Sequence, residues 1–202
     1  MITDLDPPPP RPRNDLRARL RPLVPRRLYR VGHEALNLAA ALRWLPWREA
    51  IRLRRASGER ERSLRLHPRN LLHPFLLATD PGARQSFADV VLRELYGVDV
   101  PMPEDPVIVD GGAHGGDSTT WLLSRYPAAR VVAVEPAPRS HEILLANCAP
   151  YGDRVTVLRA GLWGEPGEVV LLDPGTSTGV TTVPRRANGA CSSSAARCSG
   201  WR

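Results

Sequence analysis

A chain of 202 residues, 42% of them hydrophobic, can hold one ordinary domain with appendages; its net charge of +7 comes from 28 basic residues, every one an arginine, against 21 acids. The charge is uneven: residues 1–70 carry 17 arginines against 7 acids, residues 71–175 carry 7 against 14, and residues 176–202 carry 4 against none. An acidic middle with no RNA-binding strand motif and no zinc-finger spacing argues against a nucleic-acid module. Cys148, Cys191 and Cys198 make neither a disulfide framework nor a metal set, and no apolar run approaches the ~18 residues of a membrane span.

With 21 prolines and no lysine, the arginine excess reads as codon bias of a GC-rich genome. Residues 1–25, with a four-proline run and alternating Arg and Pro, are expected to be a disordered or extended arm. This opening lacks the charged-then-apolar pattern of a signal peptide, so a cytoplasmic setting is expected.

Residues 26–100 read as a largely helical N-terminal extension. Leu28, Val31, Ala35, Leu38, Leu42 and Leu45 recur at helical spacing, and Pro46 should break the helix. Trp44 and Trp47 flank that break among Arg43, Arg48, Arg52, Arg54 and Arg55. The stripe over 28–55 fits packing on the domain or on a second subunit, or contact with an anionic membrane surface. Ser63–Thr79, leucine-rich with Pro68 and Pro74, predicts one or two short strands. Asp80-Pro81-Gly82 is a helix-start signal, followed by an apolar face from Phe87 to Tyr96.

Residues 101–175 form the expected core. Strands are predicted at Val107–Val109, Val131–Val134, Val155–Leu158 and Val169–Leu172, with helices at Asp117–Arg125 and Ser140–Cys148, the latter capped by Ser140. Continuous apolar strands alternating with helices predict an α/β, Rossmann-like parallel sheet with helices on both faces.

The informative stretch is PVIVDGGAHGGDSTT, Pro106–Thr120: a buried strand, a glycine-rich turn and a helix start. The dinucleotide fingerprint needs glycines at i, i+2 and i+5, and no register supplies them, because Ala113 or His114 occupies the second position. Asp110, Gly112 and Gly116 instead fit acid-x-Gly-x-x-x-Gly. The next strand, RVVAVEP, ends in Glu135, 25 residues after Asp110, where such folds hold a ribose diol on a carboxylate.

Together with LLANC and VTVLRAGLWGEPGEVVLL, these pieces resemble the FkbM family of S-adenosylmethionine-dependent methyltransferases over roughly residues 71–173. Two positions depart from the family pattern: His114 stands for the usual Asn, and Ala137 for an acid often found after Glu-Pro. The resemblance implies that S-adenosylmethionine is the cofactor, held by Asp110, Gly111, Gly112, Ala113, His114, Gly116, Glu135 and Pro136. In that reading Asp110 helps anchor the methionine ammonium, Glu135 holds the ribose hydroxyls and Pro136 flanks the adenine. It further implies O-methylation of a hydroxyl on a small metabolite or sugar, with no metal and no assigned catalytic residue.

From Thr176 the texture changes to a Ser/Ala/Arg/Gly-biased tail without an acid. The family's later strand with an Asp-x-Glu-Gly ending is absent, which predicts a truncated or frame-shifted product. Two alternatives stay open: a non-catalytic cofactor-binding domain, and an NAD(P)-binding oxidoreductase disfavoured by the glycine register. Oligomeric state is not read from the sequence.

Overall fold

The computed structural model describes residues 26–56, 63–97, 101–162, 167–172, 181–184 and 195–198. The arm predicted over 1–25 lies outside them, as does most of the tail after 176. The chain divides into two compact units, residues 1–37 and 38–202, with the boundary inside helix α1, Arg26–Trp44. Among the described residues, no helix is long and apolar enough to cross a membrane.

Pro46 separates α1 from α2, Trp47–Arg55, because proline lacks the N–H to continue a helix and fits its first turn. The buried side here is Ala41, Leu45, Ala50 and Leu53, while Leu42, expected on the stripe, is exposed. Of the predicted stripe, Leu45 is buried, Leu38 half-buried and Ala35 exposed, while the side chains of Leu28 and Val31 lie outside the described residues; Ala41, Leu45, Ala50 and Leu53 belong to this unit's own core. Strands β1, Ser63–Leu66, and β2, Phe75–Ala78, pair as an antiparallel hairpin with Leu66 opposite Phe75. Helix α3, Pro81–Phe87, begins as its sequence signal predicts: Pro81 occupies the first turn and the Asp80 carboxylate accepts the Ala83 N–H at 3.0 Å. A π turn, Ala88–Leu92, continues α3.

The parallel sheet consists of β3, Val107–Gly111; β4, Arg130–Val134; and β5, Val155–Leu158, in that order. Ile108 lies beside Val131, and Val132 lies between Val109 and Thr156. Helix α4, Asp117–Arg125, joins β3 to β4, and helix α5, Pro138–Cys148, joins β4 to β5. Helix α5 starts two residues before the predicted Ser140, because Pro138 is pre-set for a first helical position; Ala137, not Ser140, is the cap.

Leu123 of α4 packs with Ile108 and Val131, whereas Leu144 and Cys148 of α5 pack with Ala133. Residues 131 and 133 point to the same side of β4, so both helices cover the same face of the sheet. Successive right-handed crossovers running in one direction require this. The sequence reading put helices on both faces; among the described residues these two helices lie on one, and on the other Val107 is 70% and Val109 55% exposed while Val134 is buried.

The hairpin, α2 and α3 pack on the far side of the helix layer. Trp121 of α4 joins Leu45, Leu66, Phe75 and Phe87 in one buried cluster. A bidentate set ties the pieces: Glu49 accepts the His67 backbone N–H at 2.7 Å and lies 2.8 Å from its Nδ1.

The predicted strand at Val169–Leu172 exists as β6, Gly167–Leu172, but not in the parallel sheet. It is the middle strand of a second sheet, antiparallel to β7, Thr181–Pro184, and β8, Ala195–Cys198. Only eight residues separate Leu158 from Gly167, fewer than the dozen or more that a parallel crossover needs.

Candidate functional site

The turn after β3 is bent by three consecutive-but-one residues with positive φ: Gly112 at 78°, His114 at 49° and Gly116 at 92°. Gly116 is needed twice over, since a Cβ there would also sit 3.0 Å from Leu144 Cδ1. At Gly112 a Cβ would meet nothing within 4 Å, so the backbone at that point faces open space. His114 takes the left-handed conformation that Asn, its counterpart in the resemblance, also tolerates better than most residues. The exchange therefore preserves the backbone geometry.

The turn is clipped to the end of β4. The Gly112 and Ala113 N–H groups both donate to the Val134 carbonyl, at 2.9 and 3.0 Å. The His114 N–H donates to Glu135 Oε2 at 2.9 Å, and Glu135 Oε1 accepts the Ala137 N–H at 2.8 Å. Glu135 is thus buried with one backbone donor on each oxygen. A carboxylate oxygen has two lone-pair sites, so each can accept one bond more. Pro136, between these two anchored residues, is half-buried.

Asp110 faces the start of α4. Its Oδ2 accepts from Ser118 Oγ at 2.7 Å and Thr119 Oγ1 at 2.5 Å. Asp117 and Ser118 are residue types that often cap a helix N-terminus. Instead Gly116 is the cap residue without a side-chain bond, and Ser118 donates to Asp110. Asp110, Gly112, His114, Gly116 and Glu135 therefore converge on the C-terminal rim of β3 and β4, together with Gly111, Ala113 and Pro136.

Two residues outside the predicted set are built into the turn. Asp117 is 3% exposed, and its Oδ2 has no partner. Burial pushes its carboxyl up to about 6, with Asp110 and Asp80 adding in the same direction against a Ser86 hydrogen bond and the His114 charge. His114 Nδ1 is likewise buried without a partner. Both residues line a small cavity of about 30 Å³ that Asp80, Gly115 and Ser140 also border, enough for one or two water molecules. The second residue is Asn147, buried on α5 and bonded to the Gly115 carbonyl. The signal for both was polarity at helical positions that periodicity turns inward.

Cys148 is a buried free thiol pushed up to about 12 by its burial, an inert core residue. No cluster of three or more His, Cys, Asp or Glu side chains suited to a metal occurs among the described residues.

No family model matches the chain. It is 36% identical over 94 residues to the AMB antimetabolite synthetase AmbE of Pseudomonas aeruginosa, which is 46% of this chain and 4% of that protein. It is 34% identical over 93 residues to the methyltransferase sdnD of Sordaria araneosa, covering 43% of this chain and 35% of sdnD. Among solved structures, the methyltransferase FkbM from Methylobacillus flagellatus aligns over 54% of this chain and 34% of its own, at 18% identity and a TM-score of 0.31. The chain spans about a third of the length of sdnD and a small fraction of AmbE. Over the matched part it is similar to methyltransferases.

Proposed function

We propose that residues 101–162 are the cofactor-binding half of an S-adenosylmethionine-dependent methyltransferase of the FkbM kind. The observation carrying this is the joined pair of turn and acid: an open, glycine-bent turn at Gly111–Gly116 bonded through His114 to a buried Glu135 at the end of the next strand. The FkbM-like sequence pattern and the similarity to sdnD support it.

The residues present fit the cofactor. The open space over Gly112 admits a ligand close to the backbone. Glu135 keeps lone pairs that can accept from two ribose hydroxyls. Asp110 holds the start of α4 and sets the turn's exit; its share in holding an ammonium group is part of the same proposal. Bound S-adenosylmethionine supplies a methyl group made electrophilic by the positive sulfur. The chain's contribution is then to orient the nucleoside, so that positioning dominates the rate. By the same resemblance, the acceptor is a hydroxyl on a small metabolite or sugar.

Calorimetric titration of the chain with S-adenosylhomocysteine and with NAD tests this. Saturable binding of the first and none of the second is expected. A folded sample that binds NAD, or that binds neither, contradicts the proposal.

A further inference from the structure

Asn147 ties together three stretches that are far apart in sequence. It sits on α5, 2% exposed. Its Oδ1 accepts the Leu76 N–H at 2.7 Å, and its Nδ2 donates to the Leu76 carbonyl at 2.9 Å. One carboxamide thus pairs with both backbone groups of a β2 residue, as an adjacent strand would. The remaining Nδ2 hydrogen goes to the Gly115 carbonyl at 2.8 Å. Gly115 lies between the two positive-φ residues His114 and Gly116, where the turn reverses.

The Gly115 carbonyl is held in a buried stretch, and a buried acceptor that loses its donor is left with the full cost of its desolvation. Leu76 and Leu77 of the hairpin also line the small cavity that His114 and Gly115 border.

We infer that Asn147 is a positioning residue that makes the β1–β2 hairpin a structural part of the nucleoside site: it couples Leu76 to Gly115, so ligand binding at the turn and docking of the hairpin favour one another. The inference rests on the cofactor reading for its ligand, but not for its mechanical content. The coupling is reciprocal, as any linkage between two sites must be. It predicts that residues remote from the open face of the turn report on the ligand.

Amide hydrogen exchange and titration together test it. In the unliganded protein, Asn147→Asp keeps the side-chain shape and the acceptor for the Leu76 N–H but replaces both donors by a carboxylate oxygen, which repels the Leu76 and Gly115 carbonyls and so loosens β2 and the turn from α5. It should speed exchange at Leu76 and also at Ala113 and His114 in the turn. Faster exchange confined to Leu76, with the turn amides unchanged, overturns the coupling whether or not any nucleoside binds. In the liganded wild type, saturating S-adenosylhomocysteine should slow exchange at Leu76, a readout that needs no variant. Asn147→Asp should weaken S-adenosylhomocysteine binding about ten- to hundred-fold, as expected for leaving buried carbonyls unpaired. Wild-type binding with an unaffected Leu76 amide and a variant within twofold overturns the inference and leaves the cofactor reading intact. Absence of wild-type binding overturns the cofactor reading, and the free-protein exchange still decides the coupling.

Discussion

The two faces of the β3–β4–β5 sheet are made from the same kinds of residue and have opposite fates. On one face Ile108, Val131 and Ala133 lie beneath α4 and α5, with Leu123 and Leu144 fully buried. On the other, Val107 and Val109 of β3 stand mostly exposed, Val134 at the end of β4 is buried, and Leu162 reaches over Gly111 while remaining 53% exposed. Valine at period two does not decide which face is covered; the hand of the crossovers does. The candidate site lies on the rim between the faces, where the turn and Glu135 are held from the covered side and open on the other.

The largest test of that contrast is a truncation on the covered face. Leu144→Ala should destabilise the chain by about 2–5 kcal/mol in denaturant unfolding, since the cavity left under Ala113 and Ala133 cannot collapse fully. A loss under about 1 kcal/mol would mean that the two faces are energetically alike.

Asp117 sharpens the comparison through pH. Its folded-state carboxyl is raised to about 6 from 3.8, so the folded chain holds the proton more tightly than the unfolded one. The stability this group contributes is present below about pH 4 and is lost as pH rises through about 6. The difference is up to about 3 kcal/mol. Asp117→Asn should flatten the stability profile between pH 4 and pH 7, and an unchanged profile would contradict the assignment.

Gly116→Ala should cost about 1–2 kcal/mol, from a left-handed backbone that L-residues resist and from contact with Leu144. Smallest of all, Val109→Ala on the open face should change stability by less than about 0.5 kcal/mol. A cost comparable to that of Leu144→Ala would show that something covers Val109 in solution.

Much of this arrangement was legible in the residues. The runs at 107–109, 131–134 and 155–158 announce strands, and the glycines and Asp110 announce the turn between β3 and α4. Other features were not legible because they depend on tertiary contacts. No local pattern says that Val169–Leu172 leaves the parallel sheet; that follows from the short link to β5. Ser118 looks like a cap residue by composition, yet Asp110 claims its hydroxyl from the preceding strand. Asn147 could be placed on the inward side of its helix by periodicity, but its partner Leu76 is 71 residues away.

The most direct test of the account is the titration of S-adenosylhomocysteine into the wild-type chain and a folded Glu135→Ala variant. The joined turn and acid predict saturable wild-type binding and a loss of about ten- to hundred-fold in the variant, the size expected for hydrogen bonds to a charged partner. Equal affinity in the two proteins would contradict it.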